Sequence, residues 1–569
     1  MSDTPVISFS HFGFQYKAQA EPTLCDISFD VHKGERILIA GPSGCGKSTI
    51  ANAVNGLIPF ALRGTMTGSL LVKGKETRNM SIFELSHIIG TVLQDTDAQF
   101  VGMTVAEDIA FSMENDCRRT EEMHEKVLEI AQTLDLKAHL SHAPGELSGG
   151  QKQRVSVGGV MIDDVEVFLF DEPLANLDPA TGKQAMELID EIQKLTGAAV
   201  IIIEHRLEDV LHCPMDRIIL MQEGRIIADC PPDELLAGPL LQEAGVREPL
   251  YVTAMKYAGI EPRKDHLLSS IRTLKLSDTD REAIRSWYEA VPEEKHNEEG
   301  PVFLASQDIE FSYENGFKAA NGISAVIREG EMLAIAGRNG AGKTTFSKLI
   351  CGFERPQKGQ LLLRGQDMSG LSIKERADHI GYVMQNPNQM ICKTMIFDEV
   401  ALGLVNRGKD EAYIREKVYQ VLKVCGLYPF RNWPVSALSY GQKKRVTIAS
   451  ILALDPEMII LDEPTAGQDF RHYTEIMEFL QELNRQGLTV VMITHDMHLM
   501  LEYARRTLVF NDSRIVRDDK PAGILTDEET VRQAALKETS LYTLAKICGI
   551  SDPRSFVQRF IDHDRRVRK

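Results

Sequence analysis

Gly41-Pro42-Ser43-Gly44-Cys45-Gly46-Lys47-Ser48-Thr49 follows the apolar run 36–40 and returns 296 positions later as Gly337-Arg338-Asn339-Gly340-Ala341-Gly342-Lys343-Thr344-Thr345 behind the run 331–336. Each copy lies between a strand-like stretch and a helix-like stretch, the setting in which this glycine and lysine spacing has physical meaning. The glycines let consecutive backbone N–H groups curl around phosphate oxygens, and the start of the helix adds its partial positive charge. In this reading Lys47 and Lys343 reach the outer phosphates of a nucleotide, and the hydroxyls of Ser48 and Thr344 ligate its Mg2+.

Other stretches repeat with a nearly equal step. Ser148 and Ser439 are 291 positions apart, as are Asp171 and Asp462, and Gln94 and Gln385; His205 and His495 are 290 apart. Even the ends recur, because Leu250-Tyr251 before Ala258-Gly259-Ile260 matches Leu541-Tyr542 before Cys548-Gly549-Ile550. Such self-similarity is a duplication. It predicts a first domain over 1–265 and a second over 301–569, each closed by a short helical appendage. The stretch 266–300 between them is polar and ends in an acidic run, the composition of a solvated linker. The runs 37–40, 167–170 and 199–203 are continuously apolar, as buried strands of a parallel sheet are. The fold class is therefore α/β, twice.

The bulk numbers narrow the class. A chain of 569 residues with 43% hydrophobic and 26% charged residues suits several globular domains and excludes disordered and fibrous types. A net charge of -18 argues against a nucleic-acid backbone as partner. The apolar runs are far shorter than the roughly 20 residues that span a bilayer, so membrane contact would have to pass through a partner. The nine cysteines form no Cys-x-x-Cys pair, which predicts reduced thiols acting as small buried hydrophobes in a cytosol. The tail Arg565-Arg566-Val567-Arg568-Lys569 is expected to be a frayed, solvated end.

Val167-Phe168-Leu169-Phe170-Asp171-Glu172 and Met458-Ile459-Ile460-Leu461-Asp462-Glu463 each deliver two acids from the end of an apolar strand. The carboxyl edge of a parallel sheet is where such folds bind ligands. Asp171 and Asp462 are placed to hold Mg2+, and Glu172 and Glu463 to act as general bases on an attacking water.

Together with Leu147-Ser148-Gly149-Gly150-Gln151 and Leu438-Ser439-Tyr440-Gly441-Gln442, and with a lone glutamine before and a lone histidine after, these motifs carry a resemblance. Over nearly all of both halves the chain resembles the nucleotide-binding domain of ABC transporters. The resemblance implies two tandem P-loop NTPase domains, each with a mainly parallel sheet flanked by helices, an antiparallel β subdomain and a helical subdomain. It implies ATP and Mg2+ as cofactors. Gln94 and Gln385 would contact Mg2+ and the membrane partner, His205 and His495 the γ-phosphate, and Tyr16 and Tyr313 the adenine. The family pairs its domains head to tail. Ser439, Gly441 and Gln442 would then cap the ATP held by Lys47, and Ser148, Gly150 and Gln151 the one held by Lys343. Asp178 and Asp469 match the family's signalling position across that joint, and read equally as turn aspartates. Tyr440 departs from the pattern where the first half has Gly149, which leaves room for unequal rates at two active sites.

Around the glutamines, Gln94-Asp95-Thr96-Asp97-Ala98-Gln99 and Gln385-Asn386-Pro387-Asn388-Gln389 resemble the ATPases of energy-coupling-factor (ECF) vitamin and metal importers. That resemblance implies a transmembrane coupling subunit, a small substrate-capturing membrane subunit, and a place on the cytoplasmic face of the cell membrane. A sugar-type importer ATPase and a soluble tandem ABC protein acting in translation stay open as alternatives. A vitamin, a thiamine precursor and a divalent metal ion are all compatible cargoes.

Overall fold

Every residue of Ala199–Ile203 and of Thr489–Ile493 is buried, as expected of strands covered on both faces. In the computed structural model, which describes residues 4–17, 19–93, 98–175, 177–293, 300–465, 468 and 470–567, each of these strands sits inside a six-stranded sheet. The first sheet runs in the order Arg225–Cys230, Arg217–Gln222, Arg36–Ala40, Ala199–Ile203, Val167–Asp171, Ile89–Val92. The second repeats that order with Arg514–Asp519, Arg506–Asn511, Met332–Gly337, Thr489–Ile493, Met458–Asp462 and Ile380–Val383. In both, the pairing is parallel except at the last strand beside Arg217–Gln222 or Arg506–Asn511.

A smaller antiparallel sheet accompanies each large one, ordered Leu24–Val31, Ile7–Tyr16, Gly64–Val72, Lys75–Glu76 in the first half and Lys318–Arg328, Val302–Ser312, Lys358–Leu363, Gln366–Asp367 in the second. Phe9, Phe12, Phe14 and Phe29 from the small sheet share one core with Ile37, Ile39 and Val167 from the large one. Phe303, Phe311 and Ile323 do the same with Ile335 and Ile460. Helices Ile396–Asn406, Glu411–Val424 and Tyr440–Leu452 form a separate cluster around Val400, Val418 and Val446. The expected parallel sheet, antiparallel subdomain and helical subdomain are thus all present.

The chain divides into two compact units, Met1–Ile284 with Asp469–Arg471, and Arg285–Gln468 with His472–Lys569. Three expectations need correction. The stretch read as a solvated linker is folded over much of its length: it carries the helix Asp278–Ala290, while the acidic run 294–299 lies outside the described residues. Ile284, Trp287, Tyr288 and Val291 recur at helical spacing and give this polar segment an apolar face that average composition conceals. Within the second unit, Trp287 packs edge-on to Phe556 at 5.9 Å between ring centroids. Arg285 Nε donates to Cys548 O at 2.6 Å, and Arg559 Nη1 to Tyr288 O at 2.7 Å.

The basic tail is also ordered through Val567. Arg565 closes the helix Pro553–Val567 by donating to the carbonyls of Glu502, Leu501 and Ala504, so its charge meets the C-terminal end of the helix Met497–Tyr503. Finally, Cys117 and Cys392 are exposed, whereas Cys45, Cys213, Cys351, Cys425 and Cys548 are buried as expected.

Trp287→Ala should loosen the last helix without unfolding the ATP-binding core. Hydrogen exchange of the intact chain is expected to show faster exchange across Pro553–Val567 and unchanged exchange in Met332–Gly337; equal exchange in both would contradict this packing.

Candidate functional site

The two glycine-rich loops leave the sheet in conformations that side chains resist. Gly46 has φ 105° and Gly342 φ 97°, and a Cβ at Gly342 would lie 2.3 Å from Ala319 O. The helices that follow, Lys47–Val54 and Lys343–Cys351, start without any side-chain cap, so their first N–H groups stay available to an anion. Lys47 Nζ donates to Gly41 O at 2.8 Å and Pro42 O at 2.9 Å; Lys343 Nζ donates to Gly337 O at 2.7 Å and Arg338 O at 2.9 Å. Each ammonium is therefore held inside its own loop. Cys45, Ala341, Thr49 and Thr345 are buried beneath, while Ser43, Gly44, Ser48, Arg338, Asn339, Gly340 and Thr344 form the exposed rim. Tyr16 OH lies 3.1 Å from Thr49 Oγ1, and Tyr313 OH 3.1 Å from Thr345 Oγ1, which fixes both rings beside the loops.

Sheet order brings the acids to the same edge, because their strand and the histidine strand are neighbours. Glu172 (φ 49°) and Glu463 (φ 46°) both take the left-handed conformation. Their N–H groups still bond to Ile203 O and Ile493 O, each at 2.9 Å, so the acid is tied to the strand that leads to the histidine. His495 Nδ1 then lies 2.7 Å from Glu463 Oε1.

The first half is looser: His205 Nδ1 is 4.0 Å from Glu172 Oε1 and 3.8 Å from Glu204 Oε2. Glu204 stands where the second half has Thr494. Burial pushes the Glu204 carboxyl up to about 7, with Arg206 pulling the other way. Burial also raises Glu172, opposed by His205.

Asp171 is pushed up to about 6, first by burial and then by the neighbouring Glu172. Its Oδ1 is buried with no hydrogen-bond partner among the described residues, an unmet acceptor of the kind that calls for a physical explanation. Asp462 accepts from Thr344 Oγ1 at 3.2 Å and from Tyr382 OH at 3.0 Å. Burial and Glu463 raise it, and these two bonds hold it back.

In the 147–151 stretch, Ser148 and Gln151 cap their own helix: Ser148 N donates to Gln151 Oε1 at 2.9 Å and Gln151 N to Ser148 Oγ at 3.5 Å. Ser439 and Gln442 repeat this at 3.0 and 3.3 Å. Serine and glutamine thus serve their own helix start in each half, with Ser148 and Ser439 exposed and Gly150 and Gly441 half-buried in the first helical turn. Asp178 caps the helix Pro179–Thr196 through Thr181 N at 2.9 Å, as a turn aspartate does. Gln94 and Asp469 lie outside the described residues. Gln385 O accepts from Lys444 Nζ at 2.8 Å and from Tyr440 OH at 3.3 Å. Lys444 and Tyr382 were missed by motif reading because neither belongs to a motif; a buried lysine one turn beyond Tyr440 and a tyrosine on the strand before Gln385 are visible only once strands are paired.

Residues 24–175 and 320–466 match the ABC transporter family, and residues 239–311 match a family described as ATP-binding cassette cobalt transporter. An ABC transporter ATP-binding protein of Clostridium perfringens is 55% identical over 568 residues, covering 100% of both chains. One of Enterococcus faecalis is 55% identical over 569 residues, covering 99% of each. Among solved structures, cbiO1 of Clostridium perfringens, part of the ABC transporter complex cbiONQ, is 32% identical with a TM-score of 0.38, covering 41% of this chain and 94% of its own. An ATP-binding cassette in its ADP conformation is 25% identical with a TM-score of 0.38, covering 41% of this chain and 97% of its own. With both phosphate loops, both acid pairs and both histidines in place, and with relatives matched end to end, the chain belongs to the ABC transporter ATP-binding proteins and carries two ATPase cassettes in one polypeptide.

Proposed function

We propose that this chain is the ATP-hydrolysing motor of an ECF-type membrane importer for a vitamin, a thiamine precursor or a metal ion. The match of residues 239–311 to a cobalt-transporter cassette family carries this reading over a sugar importer or a role in translation. No helix among the described residues is long and apolar enough to cross a bilayer. Transport then requires membrane partners: a transmembrane coupling subunit and a small substrate-capturing subunit, met at the cytoplasmic face.

At each site the loop N–H groups and Lys47 or Lys343 bind the phosphates, and Tyr16 or Tyr313 offers its ring to the adenine. The oxygen donors suit Mg2+: Ser48, Asp171 and Gln94 would hold it in the first half, and Thr344, Asp462 and Gln385 in the second. The orphan Asp171 Oδ1 and the Thr344 to Asp462 contact support that fit. When bound with ATP, Mg2+ neutralises charge on the β- and γ-phosphates. Glu172 and Glu463 take the proton of the attacking water, and His205 and His495 face the γ-phosphate. On motif resemblance alone, we extend the proposal to head-to-tail pairing of the cassettes, with Ser148 and Gly150, and Ser439 and Gly441, completing the opposite sites.

Glu172→Gln with Glu463→Gln is expected to lower ATP turnover by about 100-fold or more while ATP affinity changes little, since only the proton acceptor is removed. Loss of ATP binding together with turnover would show that the acids serve the cradle instead. For the transport reading, the chain purified from detergent-solubilised native membranes should bring down a polytopic coupling protein and a second small integral membrane protein. Recovery of ribosomal proteins would favour the role in translation, and a periplasmic-type binding-protein importer the sugar reading.

A further inference from the structure

Lys444 lies on the helix Tyr440–Leu452 with only 1% of its surface exposed. An ammonium buried this far is tolerated only if its protons are met. Its Nζ donates to Met384 O and Gln385 O, each at 2.8 Å, and lies 3.5 Å from Asp462 O. The first two carbonyls are where the chain leaves the strand Ile380–Val383; the third ends the strand that carries the acids. One side chain therefore joins the start of the glutamine segment to the acid-bearing strand.

Its neighbours on the same helix face work alike. Tyr440 OH donates to Gln385 O at 3.3 Å, and Lys443 Nζ to Asn388 Oδ1 at 3.4 Å. The matching residues of the first half are Gly149, Lys152 and Gln153. Gly149 has no side chain to offer, and Gln153 Nε2 donates to Pro173 O at 3.2 Å, on the loop beyond the acids. The same helix position therefore serves a different loop in each half.

We propose that Lys444 is a positioning residue of the second site, fixing the main chain at Gln385 so that the Gln385 amide meets the Mg2+ of a nucleotide held by Lys343. This rests on the reading of Gln385 as a Mg2+ ligand. Three backbone carbonyls converge on one buried cation, and this holds the segment with a stiffness that a hydrogen bond from Tyr440 alone does not provide.

The test uses the full chain carrying Lys47→Ala, which leaves Lys343 as the intact phosphate lysine, and follows fluorescence of N-methylanthraniloyl-ATP with and without Mg2+. Lys444→Met is expected to weaken binding in Mg2+ by roughly tenfold, in line with the loss of a group that orients a metal ligand, with Mg2+-free binding unchanged. Lys444→Arg should restore most of the Mg2+ effect, because a guanidinium can donate to the same carbonyls. Lys444→Gln, the residue of the first half, stands in if Lys444→Met does not fold and should behave like it. Unchanged binding in Mg2+, or an equal loss with and without Mg2+, would overturn the proposal. Gln385→Ala separates the two layers: if it keeps full Mg2+ dependence, the Gln385 reading fails; if it loses that dependence while Lys444→Met does not, only the role of Lys444 fails.

Discussion

Main-chain N–H groups come free to surround a phosphate where the chain turns sharply between a buried strand and an uncapped helix, and both units are arranged around that turn. Gly337 passes so near the next strand that a Cβ there would lie 2.0 Å from Phe510 O, and Gly46 and Gly342 take φ values closed to most side chains. For the turn to be rigid its strand must be central, and Arg36–Ala40 and Met332–Gly337 each have a strand on either side. Centrality in turn places the histidine strand beside the loop and the acid strand next to that, so the charged groups arrive at one edge without a dedicated element to carry them.

The duplication kept this frame and changed what surrounds it. His495 Nδ1 lies at ion-pair distance, 2.7 Å, from Glu463, whereas His205 stands between Glu172 and a fully buried Glu204. Thr494 in place of Glu204 removes a second carboxylate from the second site. Tyr382, which bonds to Asp462, corresponds to Thr91, and Lys444 to Gln153. Each exchange alters the charge or the support around an acid without touching the motifs, so two sites of one design differ in their surroundings.

Contiguous motifs made the fold, the loops and the acid pairs readable from the chain, because each motif is a local backbone geometry with its chemistry attached. What escaped reading is not local. The helix Asp278–Ala290 is polar on average and gains its place through distant contacts such as Trp287 against Phe556 and Arg285 against Cys548 O. Arg565 looks like a solvated end until the carbonyls of residues 501, 502 and 504 are brought beneath it. Gln151 and Gln442 carry a second duty that no motif announces, because their amide oxygens cap their own helices. Tyr440 reads as a defect in a motif and proves to be a strut on Gln385 O.

The central claim is that one chain holds two ATP sites of this kind. Isothermal titration of the purified full-length chain with ATP and Mg2+, with turnover blocked by Glu172→Gln and Glu463→Gln, measures it directly. Two ATP per chain are expected, falling to one when either Lys47→Ala or Lys343→Ala is added. A stoichiometry of one before those changes, or no dependence on one of the two lysines, would contradict it.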